Sequence, residues 1–93
     1  MKKTAIITGG NKGIGLAITE AFVNEGYFVI VGARQKMNLN KFKKNVFFIN
    51  CDVTNEFSHI KLVKKALQLT GRLDVYINNA GVSEWKPLHK ISK

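Results

Sequence analysis

The residues best suited to chemistry open the chain. Residues 8–15 read T-G-G-N-K-G-I-G, with Gly9, Gly13 and Gly15 separated by Asn11, Lys12 and Ile14. Glycine costs roughly 0.5–1 kcal/mol in regular structure, so a cluster of it implies a use for bare backbone. Gly9 would allow a tight turn, Gly13 the approach of a pyrophosphate to the main chain, and Gly15 close packing of a following helix against the strand. The first amides of a helix starting near Ile14, together with its positive end, would face the anion. No Gly-Lys-Ser/Thr follows, which sets aside P-loop kinases and ATPases. Elsewhere His59 and His89 lack a second ligand at helical spacing, so no metal site is expected.

Such a loop works only between a strand and a helix, and the flanks supply both. Residues 3–8 (K-T-A-I-I-T) form a short, nearly continuous apolar run that suits a strand buried on both faces. Ile14, Ala17, Ile18, Ala21 and Phe22 then recur at helical spacing, and Gly26 supplies a stop signal. Residues 27–31 and 46–51 read as further strands. Thr54 stands as a helix cap, with Phe57, Ile60, Val63, Ala66 and Leu67 as the apolar stripe of a helix that ends at Gly71. Residues 73–77 make a fourth strand. The order β-α-β-link-β-α-β predicts an α/β fold: a Rossmann-type half fold with a parallel sheet of four strands in order 3-2-1-4 and right-handed crossovers. The link at 34–45 is near the lower limit for a parallel crossover, so at most a short helical turn is expected there.

Composition narrows the partners. The 93 residues carry 45 % hydrophobic side chains, enough for one small domain and too many for disorder. The net charge of +9 invites nucleic acid, but 13 of the 15 cations are scattered lysines with no arginine–aromatic interleaving. They read as a solvated surface or, secondarily, as a positive field for an anionic ligand; no nucleic-acid partner is expected. No apolar run is long enough for a membrane, and no leader pattern opens the chain, so a cytoplasmic protein is expected. Cys51, the single cysteine, excludes an internal disulfide and reads as core packing.

The motif T-G-G-N-K-G-I-G resembles the T-G-x-x-x-G-x-G cofactor motif of the short-chain dehydrogenase/reductase family. Two more stretches match it in order: Cys51-Asp52-Val53 after the third strand and Asn78-Asn79-Ala80-Gly81 after the fourth. The resemblance implies that Asp52 and Val53 meet an adenine ring, one through its carboxylate and the other through its amide. It also implies that Asn79, Ala80 and Gly81 shape the ribose side. NAD-type members carry an acid at the end of the second strand, where this chain has Ala33 followed by Arg34. Arg34 and Lys12 match the NADP-preferring pattern, since cations suit a 2′-phosphate; the alternative is that both are ordinary surface cations. NADP is therefore the expected cofactor.

The family's catalytic Tyr-x-x-x-Lys pair is missing: Tyr27 is followed four residues later by Val31 and Tyr76 by Ala80. Ser83 directly follows the third motif and does not match the family's later catalytic serine. The chain thus resembles the N-terminal, dinucleotide-binding portion of an oxidoreductase, incomplete over residues 1–93 and inactive alone. An open sheet edge beside the fourth strand leads to an expectation of self-association. A non-enzymatic, self-associating module without cofactor remains the alternative reading.

Overall fold

A computed structural model describes residues 2–79. It contains β1 (Thr4–Thr8), α1 (Gly13–Asn24), β2 (Phe28–Ala33), a single 3-10 turn at Lys43–Asn45, β3 (Val46–Asn50), α2 (Glu56–Thr70) and β4 (Val75–Asn78). The sheet order is β3-β2-β1-β4, as expected, and every pairing is parallel. β1 pairs Ile6 with Ile30 on one side and with Tyr76 on the other. All five residues of β1 are buried, the signature of a strand covered on both faces.

Alternation along the strands divides the core in two. Ile6 and Ile30 face α2 and pack with Cys51, Leu62 and Ala66. Ile7, Val29 and Val31 face the other way and pack with Phe42, Val46 and the apolar side chains of α1. The two helices therefore cover opposite faces. The strand ends that carry the three motifs all lie at the sheet's carboxyl edge. At the opposite edge, Thr4 and Thr70 share a hydroxyl hydrogen bond of 2.6 Å, and the Thr4 amide donates to Asp74 at 2.8 Å. Asp74 is also paired with Arg72 at 2.6 Å.

Several local expectations need correction. β2 starts one residue later than expected and runs on through Gly32 and Ala33; Tyr27 stays outside it, edge-on to Phe22. In α1 the buried residues are Gly15 and Thr19, while Ile14 is 75 % exposed. In α2 only Val63 and Ala66 of the expected stripe reach the core. Leu62 and Ala66 are fully buried, whereas Phe57, Ile60 and Leu67 are 71 %, 49 % and 50 % exposed. β2 leaves a notch for Leu62: a Cβ at Gly32 would come within 2.9 Å of that side chain, so the bare backbone there gives Leu62 room to seat. Asn55, not Thr54, caps α2, its side chain accepting from the Phe57 amide at 2.8 Å. Gly26 and Gly71 follow the helix ends as the sequence indicated.

Candidate functional site

The loop after β1 is tied down before any ligand is considered. The Gly9 amide donates to the Gly32 carbonyl at 2.8 Å, extending the β1–β2 ladder by one bond. Gly15 lies beneath this turn so tightly that a Cβ there would stand 2.0 Å from the Gly9 carbonyl oxygen and 2.6 Å from Asn79 Nδ2. The close approach expected of Gly15 is thus made to the turn itself, not to the strand. Gly13 has a φ of +58° with open space where a Cβ would lie. Gly10, which carries no motif role in the sequence, is also closely packed: a Cβ there would meet Thr19 Oγ1 at 2.6 Å. Thr19, buried, donates to the Gly10 carbonyl at 3.1 Å, pinning the loop to α1.

The two helices differ at their amino ends. Asn55 caps α2, and Glu56 stands in its first turn. At α1 the side chain of the N-cap residue, Lys12, makes no capping hydrogen bond, and no acid occupies the first turn. The partial positive end of α1 therefore points, without a capping side chain, towards the sheet's carboxyl edge.

A cavity of about 560 Å³ opens there, within the range of small-ligand clefts. Gly9, Asn11, Lys12, Gly13, Ile14 and Gly15 line it from the loop and α1. Arg34 lines it from the end of β2, Asp52 and Val53 from the end of β3, and Asn79 from beyond β4. Ten residues singled out from the sequence thus share one cavity; Ala80 and Gly81 lie outside the described residues. Ala33, Gln35 and Thr54 also line it, although the sequence reading gave Gln35 no part. Gln35 organises the cationic side: its carbonyl accepts from Asn11 Nδ2 at 3.0 Å, and its side-chain oxygen accepts from Lys12 Nζ at 3.1 Å. Nothing in the residue type announced this; it depends on β2 ending beside the glycine loop.

Arg34 and Asp52 face each other across the mouth, 3.8 Å apart and both substantially exposed. The Arg34 backbone is held by Asn50, whose Nδ2 donates to the Arg34 carbonyl at 2.6 Å. Asp52 Oδ1 accepts from the Thr54 hydroxyl at 2.6 Å and the Thr54 amide at 2.9 Å. Those two bonds, assisted by Arg34, hold the carboxyl below the usual aspartate value and keep it ionised. The asparagines tie strand ends together: Thr8 donates to Asn78 Oδ1 at 2.8 Å, and Asn79 Nδ2 donates to the Gly9 carbonyl at 3.3 Å. Burial pushes the Cys51 thiol up, consistent with its place in the core. Among the described residues, no helix is long and apolar enough to cross a membrane.

A glycine loop at the end of the first strand of a parallel sheet, with the ends of the next three strands around one cavity, is the arrangement of a Rossmann-type half fold. The family model for short chain dehydrogenases matches residues 3–93, and the chain belongs to that family. It is 45 % identical over 86 residues to oxidoreductase BOA17 of Botryotinia fuckeliana (strain B05.10), covering 87 % of this chain and 31 % of that protein. Among solved structures it is similar to ElxO with NADP bound, with a TM-score of 0.72 and 34 % identity over 84 % of this chain and 34 % of that one. It is also similar to L-sorbose reductase from Gluconobacter frateurii, complexed with NADPH and L-sorbose. There the TM-score is 0.70 and the identity 31 %, covering 81 % of this chain and 32 % of that one. The chain thus spans about a third of the length of these relatives.

Proposed function

We propose that this chain is the NADP(H)-holding portion of a short-chain oxidoreductase. One observation carries the choice of cofactor: β2 ends in Ala33, not an acid, and the cations Arg34 and Lys12 line the same cavity. An acid at the end of β2 would repel a 2′-phosphate, whereas a guanidinium accommodates it bidentately. The cradle fits the rest of the dinucleotide. The amides of Gly13, Ile14 and Gly15 would meet the pyrophosphate, with Gly9 and Asn11 shaping the turn around it. Asp52 would accept from the adenine amino group and the Val53 amide would meet the ring, while Asn79, Ala80 and Gly81 would border the nicotinamide-side ribose. The bound NADP and NADPH in the ElxO and L-sorbose reductase structures support this reading.

When bound, the dinucleotide supplies hydride chemistry; this chain's residues bind and orient its adenosine and pyrophosphate. Because no Tyr-x-x-x-Lys is present, the chain is expected to bind NADP(H) without turnover. Calorimetric titration tests the proposal. NADPH should bind at least about tenfold more tightly than NADH, the worth of one charge-assisted contact. Arg34→Ala should erase that difference, and equal affinities in the unsubstituted chain would refute the NADP reading.

A second reading concerns association. Among the described residues β4 pairs only with β1, and α2 leaves Phe57, Ile60 and Leu67 largely exposed. An edge strand and exposed apolar side chains each favour pairing with a second copy. Sedimentation should show dimers at high concentration; a clean monomer would exclude them.

A further inference from the structure

Behind the adenine side of the cavity, α2 contributes a residue that the dinucleotide reading leaves unused. His59 lies on the sheet-facing side of the helix, one step along the face that carries Leu62, Val63 and Ala66. Its Nε2 stands 2.8 Å from the Val53 carbonyl oxygen, and its Nδ1 meets the Tyr76 hydroxyl. A carbonyl oxygen can only accept, so Nε2 carries the proton and Nδ1 accepts from Tyr76 in the neutral ring. Tyr76 is fixed by its register opposite Ile6, and burial pushes its phenol up to about 12, which keeps it a donor. The rings lie 5.7 Å apart, tilted by 34°. A chain of bonds therefore runs from the sheet, through the helix, to the loop after β3.

The end point of that chain matters. The Val53 carbonyl belongs to the same planar peptide as the Thr54 amide, which donates to Asp52 Oδ1 at 2.9 Å. His59 grips one side of this peptide and the Asp52 carboxylate grips the other. Turning the peptide would break both bonds together. His59 does not itself line the cavity, whereas Asp52, Val53 and Thr54 all do.

We infer that His59 is a positioning residue that, through the Val53–Thr54 peptide, sets the Asp52 carboxylate for recognition of the purine amino group. This rests on the reading of Asp52 and Val53 as the adenine contact. The prediction concerns base discrimination rather than fold. The probes are NADPH and its hypoxanthine analogue, which lacks the 6-amino group, titrated into the 93-residue chain. The unsubstituted chain should prefer NADPH roughly tenfold, the worth of a hydrogen bond to a charged acceptor. His59→Leu should reduce that ratio to about twofold or less. His59→Gln keeps a donor near the Nε2 position and should retain most of the preference. An unchanged ratio in His59→Leu overturns the inference. Should His59→Leu fail to fold, Tyr76→Phe decides, since it deletes only the hydroxyl that orients His59. It should lower the ratio at least about twofold, and an unchanged ratio overturns the inference. If the unsubstituted chain binds NADPH but shows no preference between the two bases, the adenine reading and this inference fall together, while the phosphate cradle stands.

Discussion

Gly15→Ala separates the cradle from an ordinary helix start. The added Cβ would lie 2.0 Å from the Gly9 carbonyl oxygen, about 1.4 Å short of the 3.4 Å at which ordinary contact begins. It would also lie 2.6 Å from Asn79 Nδ2. The nearer neighbour is backbone and cannot rotate away, so the β1–α1 turn must open. Forced overpacking of this kind costs about 1–3 kcal/mol, offset by up to about 1 kcal/mol from alanine's better helix propensity. Net destabilisation should therefore be about 0–2 kcal/mol with the full offset and about 1–3 kcal/mol without it. Affinity should fall further, because the displaced turn carries the amides that would meet the pyrophosphate. Losing alignment of one charge-assisted bond, at about 1.5–3 kcal/mol, weakens dinucleotide binding roughly ten- to a hundredfold. Gly13→Ala is the comparison: it has open space but a positive φ, costing roughly 1–2 kcal/mol with no clash against Gly9. Urea unfolding and calorimetric titration of both variants give the two quantities. Wild-type stability and affinity in Gly15→Ala would refute the close-approach reasoning.

Ala33→Asp should transfer preference from NADPH to NADH, at least tenfold in the ratio of dissociation constants, because the new carboxylate would repel a 2′-phosphate and accept from a 2′-hydroxyl. Leu62→Ala should cost about 2–5 kcal/mol in urea unfolding, since Leu62 is fully buried in the Gly32 notch. Asp74 tests acid stability. Arg72 first, then the Thr4 amide, hold its carboxyl below the usual aspartate value, so the folded state binds its proton less readily than the unfolded chain. Its contribution is complete above that value and is lost as pH falls through the lower folded value. Asp74→Asn should flatten the acid limb of stability below about pH 4, as followed by circular dichroism, and leave the shape at neutral pH unchanged.

Strand order and the placing of the glycine loop were legible because both follow from one-dimensional signals. Apolar runs alternate with helical periodicity, and parallel crossovers have a fixed hand. What stayed hidden depended on residues distant in sequence. Phe57, Ile60 and Leu67 share a helical period with Val63 and Ala66, which reach the core, yet they stay exposed while Leu62 seats against Gly32, a residue of another strand. Thr54 and Asn55 are both competent caps; Asp52, by taking the Thr54 hydroxyl and amide, leaves the cap to Asn55. Ile14 fits the helical period but lines the cavity and stays largely exposed among the described residues. Gln35 and His59 gain their roles from partners 23 and 17 residues away, and no local pattern marks them.

The central claim is that the uncapped start of α1 and the ends of β2 and β3 hold one dinucleotide together. Titrating the nitrogen-15-labelled chain with NADPH tests it directly. The amides of Gly13, Ile14, Gly15, Arg34 and Asp52 should shift along a single binding curve, with those on the exposed face of α2 unmoved. No response at millimolar NADPH, or shifts confined to lysine-rich surface away from the cavity, would contradict it.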